Sequence, residues 1–153
     1  MSNPIEILSL SKTFRGKKRL QVEALRELNL TINQGEVFGF LGPNGAGKST
    51  TIKILMGLIA ATSGTARLFA TDVSQAVARK NVGYLPENPS FYDFLSAREY
   101  LAFIGKAFAM TEAAIRERSV AVLEQLHLSE AADRPIRSYS KGMVQRLGIA
   151  QTL

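Results

Sequence analysis

Gly42-Pro43-Asn44-Gly45-Ala46-Gly47-Lys48-Ser49 fits the pattern G-x-x-x-x-G-K-[ST] at every fixed position. The chemistry this allows is the binding of phosphate groups. Glycines let a loop wrap closely, so that successive backbone N–H groups point at a β-phosphate. A helix starting at the end of the loop adds free N–H groups and the positive end of its dipole. Lys48 can bridge β- and γ-phosphates, the Ser49 hydroxyl can ligate Mg²⁺, and Thr50 can donate to the α-phosphate.

Such a loop needs a strand before it and a helix after it. Val37-Phe38-Gly39-Phe40-Leu41 is a continuous apolar run, as expected of a central parallel strand covered on both faces. Ile52, Leu55, Met56 and Ile59 follow at i, i+3, i+4 and i+7, which predicts an amphipathic helix. Further strands are predicted at Ile5 to Leu10, around Leu28, Leu30 and Ile32, at Thr65 to Phe69, and at Val82 to Leu85 before Pro86. Beyond Pro86 the pattern turns helical. Ser96 caps a stripe of Ala97, Tyr100, Leu101, Ile104 and Phe108. Thr111 and Glu112 open a second helix with Ile115, Val122 and Leu126, and Ser140-Lys141-Gly142 opens a third through Leu147 and Ala150. The organisation expected is an α/β part, residues 1–86, followed by a helical part, residues 87–153.

Composition excludes several other classes. Hydrophobic residues make up 46% and charged residues 21% of 153, which is globular rather than disordered. There is no cysteine, so disulfide frameworks, cysteine nucleophiles and thiolate metal sites are ruled out. A single histidine, His127, leaves no His-rich metal cluster and reads as structural at a helix end. No apolar run approaches the roughly 18 residues of a membrane span, and no leader pattern opens the chain, so the default compartment is the cytoplasm. The net charge is +6, with Arg15, Lys17, Lys18 and Arg19 supplying four charges within five positions. Such a cluster attracts nucleic acid, phosphate or anionic lipid, or is a solvated loop; only Phe14 offers an aromatic beside it.

Three further segments sit at telling distances from Lys48: Leu10 to Phe14, Gly83-Tyr84-Leu85-Pro86-Glu87, and Tyr139-Ser140-Lys141-Gly142-Met143-Val144-Gln145-Arg146. Together with Gly39 to Thr51, they make the chain resemble, over essentially its whole length, the ATP-binding subunit of an ABC transporter. The resemblance is strongest to the export-type ABC-2 subgroup. It implies a P-loop NTPase core with a mixed sheet, plus the family's helical subdomain ending within the signature helix. It also implies ATP and Mg²⁺ as ligands, coupling of ATP hydrolysis to transport, a second ATP-binding subunit, membrane-spanning partners and a place on the inner face of the membrane. No nucleic acid is expected.

Residue by residue, the resemblance gives Phe14 the role of stacking on adenine, with a core phenylalanine as the alternative. Glu87 stands where the family usually has the Q-loop glutamine, contacting Mg²⁺ and the attacking water. Ser140, Lys141, Gly142 and Gln145 fall in the signature motif that binds ATP held by the partner subunit, although Lys141 and Met143 depart from its usual wording. Phe91, Tyr92 and Phe94 are candidates either for contact with the membrane subunit or for local packing. The family's apolar strand ending in Asp-Glu and its switch histidine have no counterpart; Asp72, Asp93 and Asp133 do not end apolar runs of that kind. The chain therefore reads as C-terminally truncated, lacking part of the core. Two alternatives stand beside the transporter: a soluble ABC-type ATPase acting on ribosomes or nucleic acid, and a non-catalytic fragment that only binds ATP.

Overall fold

A computed structural model of the chain describes residues 3–16 and 20–152. Of the basic cluster, Lys17, Lys18 and Arg19 therefore lie outside the described residues. The chain divides into two compact units, Met1–Asn81 and Val82–Leu153.

The first unit is built on a four-stranded antiparallel sheet. Strands β1 (Ile5–Arg15), β2 (Gln21–Ile32), β3 (Ser63–Leu68) and β4 (Thr71–Asp72) lie in the order β2-β1-β3-β4. Helix α1 (Lys48–Leu55) packs against β3 and β2. Alternation accounts for this sheet. Ile7, Leu10, Leu25, Ala66 and Leu68 point inward and are buried, and α1 adds Thr51, Ile54 and Leu55. The ladder is not regular. Ser9 in β1 and Glu27 in β2 take left-handed backbone angles, φ 47° and 44°. The groups freed there are recovered by side chains. The N–H of Ser9 donates to Asn29 Oδ1 at 2.9 Å, and the N–H of Glu27 donates to Ser11 Oγ at 2.9 Å. Such bulges twist a strand without leaving buried polar groups unpaired.

Several sequence expectations are corrected here. The apolar run Val37 to Leu41 is not a strand, and neither is Val82 to Leu85; both are unpaired in strand terms. A strand draws its hydrogen bonds from neighbours, and the only ladders formed among the described residues are the antiparallel ones of β1 to β4. The expected mixed sheet is thus represented by its antiparallel part. The first strand is longer than predicted and continues to Arg15, while β3 stops at Leu68 because Phe69 turns into the left-handed region at φ 48°. Helix α1 ends at Leu55, and its buried face is Thr51, Ile54 and Leu55 rather than a stripe through Ile52, which is 38% exposed.

The second unit is helical, with α2 (Ala97–Ala107), α3 (Glu112–Gln125) and α4 (Lys141–Ala150). One apolar cluster holds it together, including Ala97, Leu101, Val122, Leu123, Leu128 and Leu147. Gly105 lets α2 approach α3 closely, since a Cβ there would fall 2.6 Å from Ile115 Cγ1. Phe108, expected on the inner stripe of α2, is the helix's C-cap and is 75% exposed. Two tyrosines enter the core with their hydroxyls satisfied. Tyr139 donates to the carbonyl of Ala131 and Tyr100 to Gln151 Oε1, both at 2.6 Å. Burial pushes both phenols above their ordinary range. The C-terminal end of α3 is closed by Arg146, whose guanidinium donates to the carbonyls of Leu126 at 2.9 Å and His127 at 3.1 Å. His127 itself is exposed with φ 52°, a helix-end position.

All three helices of this unit start on a hydroxyl cap, from Ser96, Thr111 and Ser140. At Ser96 the cap is reciprocal: the N–H of Ser96 donates to Glu99 Oε2 at 2.8 Å, the hydroxyl donates to the same oxygen at 2.9 Å, and Glu99 N–H donates back to the hydroxyl at 3.2 Å. The backbone bond from Ser96, then its hydroxyl, hold the Glu99 carboxyl below its ordinary value of 4.5. A lowered folded-state value means the stabilisation is present above that ordinary value and is lost as pH falls through the folded one. Glu99→Gln should therefore flatten the acid limb of the stability curve below about pH 5. Urea midpoints taken across that limb for the two proteins check this; identical limbs would remove the carboxylate from the cap's energetics.

Candidate phosphate site

The loop from Gly42 to Gly47 delivers the chain to α1 without a side-chain cap. Gly47 is the N-cap, at φ 84° and ψ 1°, and has no side chain to accept from the first turn. There is also no acidic residue in that turn. Among the described residues, α1 differs from α2, α3 and α4 in lacking a side-chain cap. Its first N–H groups are left for an external acceptor, and the dipole adds to their pull on an anion.

Gly47 is required by two constraints at once. Its backbone angle is left-handed, and an added Cβ would lie 2.5 Å from the carbonyl oxygen of Ala24 and 2.5 Å from Leu25 Cδ2. The loop is thereby seated directly on β2. Thr51, one turn into α1, fixes it from the other side. Its N–H and its hydroxyl both donate to the carbonyl of Gly47, at 2.8 and 3.0 Å. Thr51 is 1% exposed. The sequence pattern gave this residue no role; its helical spacing of four from Gly47 was the signal available.

Lys48 bends back over the loop. Its Nζ donates to the carbonyls of Gly42 at 2.5 Å and Pro43 at 2.9 Å. The loop tightens on itself as well, with Ala46 N–H donating to the Pro43 carbonyl at 3.2 Å. Ser49 is exposed and Thr50 half-buried at the start of the helix. Pro43, Asn44, Gly45 and Ala46 are all exposed. A cleft of about 380 Å³ opens beside the loop, lined by Glu23, Ala24, Leu25 and Arg26 of β2 and by Gly45 and Ala46. The hydrogen bond from Arg26 holds the Glu23 carboxyl below its ordinary value.

Phe14 lies outside the core, 41% exposed, with Lys12 Nζ 5.0 Å from its ring centroid. The β1–β2 register pairs Phe14 with Val22, two residues before Ala24, so the ladder carries this ring to the end of β2 on which the loop rests. The other candidates belong to the second unit. Glu87 is exposed in the loop between Pro86 and Pro89. Ser140 is the N-cap of α4, accepting from Met143 N–H at 3.3 Å, and Lys141, Gly142 and Gln145 are exposed on its first turns. Phe91 packs edge-on against Tyr100 at 4.9 Å and borders the core. Tyr92 and Phe94 stand at the surface, 52% and 66% exposed, with Tyr92 edge-on to Phe103 at 5.6 Å. Among the described residues there is no group of three His, Asp or Glu that can hold a metal. No helix of the described residues is long and apolar enough to cross a membrane.

A glycine loop seated on a sheet and opening an uncapped helix, with a helical unit after it, defines a P-loop NTPase core fragment. The comparisons narrow this class. The family model described as ABC transporter matches residues 25–153. An uncharacterised ABC transporter ATP-binding protein of Synechocystis is 42% identical, over 99% of this chain and 44% of that protein. The linearmycin resistance ATP-binding protein of Bacillus subtilis is 36% identical, over 90% of this chain and 44% of its own length. A solved structure of an ATP-binding subunit of an ABC transporter superposes with a TM-score of 0.81 at 27% identity, covering 97% of this chain and 60% of that one. The chain belongs to the ABC transporter family. It spans about half the length of the curated relatives it matches.

The two left-handed loop glycines allow a graded test. Gly47→Ala meets both the backbone penalty and the Ala24 carbonyl, whereas Gly45→Ala, at φ 86° with nothing within 4 Å, meets the first alone. The expected losses are about 2 to 4 kcal/mol for Gly47→Ala and about 1 kcal/mol for Gly45→Ala in urea unfolding. Equal losses would mean the seat on β2 is not what fixes Gly47.

Proposed function

We propose that this chain is the nucleotide-binding part of an ABC transporter's ATP-binding subunit. The observation that carries the reading is the uncapped start of α1 behind Gly47, with the Lys48 amine held over the same loop. In this reading the N–H groups of the loop and of Lys48, Ser49 and Thr50 receive the phosphates of ATP. Lys48 exchanges its loop carbonyls for β- and γ-phosphate oxygens, and Ser49 completes the coordination of Mg²⁺. Phe14 offers its exposed face to adenine, which agrees with its place at the loop end of the β1–β2 ladder. Glu87 supplies an oxygen near the metal and the attacking water. Positioning and charge neutralisation are what phosphoryl transfer demands of such groups.

In the same reading Ser140, Lys141, Gly142 and Gln145 face ATP held by a second ATP-binding subunit. The place of Ser140 at the start of α4 and the exposure of these residues support it. Tyr92 and Phe94 contact a membrane-spanning subunit, and their exposure beside Phe103 fits an interface better than a core. Phe91 serves packing. The protein then works at the inner face of the membrane, in export.

Titration calorimetry with MgATP tests the core of this reading. The unaltered chain should bind, and Lys48→Ala should weaken binding at least about 100-fold, the scale expected on losing charge-assisted bonds to two phosphates. Ser49→Ala should matter with Mg²⁺ present and be nearly silent with EDTA. Unchanged affinity in Lys48→Ala would sink the assignment of the loop.

A further inference from the structure

Lys12 is held over the Phe14 ring by a bond it makes elsewhere. Its Nζ donates to the carbonyl of Ala60 at 2.6 Å and lies 5.0 Å from the ring centroid. The stretch that carries this carbonyl is itself tied down. Two residues on, Thr62 donates its N–H to the carbonyl of Ser11 at 2.8 Å, and its Oγ1 accepts the N–H of Thr13 at 2.9 Å. The chain after α1 is thus fastened to β1 on either side of Lys12. Among the described residues no carboxylate is paired with the Lys12 amine. A surface lysine is ordinarily a flexible stem carrying a hydrated point charge. Here the charge is fixed on one face of an exposed ring.

The face of a phenyl ring carries the negative part of its quadrupole. A cation on one face draws that electron density toward itself. The opposite face is left less repulsive to the π-cloud of a base. The same contact restricts the ring before a ligand arrives, so less ordering is left to the binding step. Lys12 does not touch a base stacked on that opposite face, because the ring stands between them.

We propose that Lys12 is a positioning residue for the purine of the bound nucleotide. It acts through Phe14, and its contribution goes to the base and not to the phosphates. This rests on the reading in which the loop takes the phosphates of ATP and Phe14 stacks on its adenine.

Calorimetric titrations with MgATP and with magnesium tripolyphosphate, at one ionic strength, separate the two ends of the ligand. In the unaltered chain ATP should bind about 10-fold more tightly, because only ATP carries a base to stack. Lys12→Met keeps the methylene stem and loses the charge. It should weaken MgATP binding about 5-fold and leave tripolyphosphate within about 2-fold. Retained tripolyphosphate binding also shows that the variant is folded. Lys12→Arg, which keeps a cation able to lie on the ring, should hold ATP affinity within about 2-fold of the unaltered chain. In a Phe14→Leu background, where the ring is already gone, Lys12→Met should cost ATP no further loss beyond about 2-fold. An equal loss for both ligands would overturn the proposal, since it makes Lys12 a general attractor of anions. So would unchanged ATP affinity in Lys12→Met, or a 5-fold loss that persists without the ring. The underlying reading fails differently: neither ligand binds if the loop is no phosphate site, and both bind alike to the unaltered chain if Phe14 holds no base. Either of those results ends the proposal as well.

Discussion

Everything at the phosphate loop depends on one close approach, that of Gly47 to the carbonyl of Ala24. The sheet exists without it, because β1 pairs with β2 and β3 through antiparallel ladders. The loop does not. With no side chain at Gly47, the backbone can settle on β2, turn left-handed and start α1 pointing back at the loop. Thr51 then ties the first turn to the Gly47 carbonyl from inside the core. The buried face of α1 and the open cradle ahead of it are consequences of the same contact. A side chain large enough to cap the helix would unseat the loop from the sheet.

The second unit uses the opposite solution at each helix start. Ser96, Thr111 and Ser140 close their own first turns, and Arg146 closes the end of α3 from α4. Its core carries two tyrosine hydroxyls, each with a fixed acceptor, so burial of polar groups is compensated rather than avoided. Among the described residues the chain therefore pairs a helical unit whose α-helices start on their own hydroxyl caps with a unit whose α1 starts without one.

Much of this was legible in the residues. Glycine, lysine and serine at fixed spacing marked the loop, and the structure has it there, ahead of α1 with the Lys48 amine folded over it. Hydroxyl residues before apolar stripes placed α2, α3 and α4, since capping is a local interaction. Val37 to Leu41 was misread because apolarity reports a wish for burial, not the presence of a neighbour to provide it. The extent of α1 was misread for a related reason: Ile52 and Ile59 fit the helical period, but the sheet below touches the face of Thr51, Ile54 and Leu55. Phe108 matched a stripe by spacing and still ended exposed, because it sits where the helix closes. Strand partners, helix rotation and the seat of Gly47 on Ala24 are long-range facts, and single-sequence periodicity does not contain them.

The Lys48 amine, bonded to the carbonyls of Gly42 and Pro43, makes the loop its own competitor. An anion arriving there does not meet an idle cation. It displaces two neutral acceptors, so the affinity gained is the difference between charged and uncharged oxygens, not the full strength of either. In the proposed reading that exchange would discriminate by charge density: neutral oxygens offer the lysine no more than the Gly42 and Pro43 carbonyls already do, and a polyanion does.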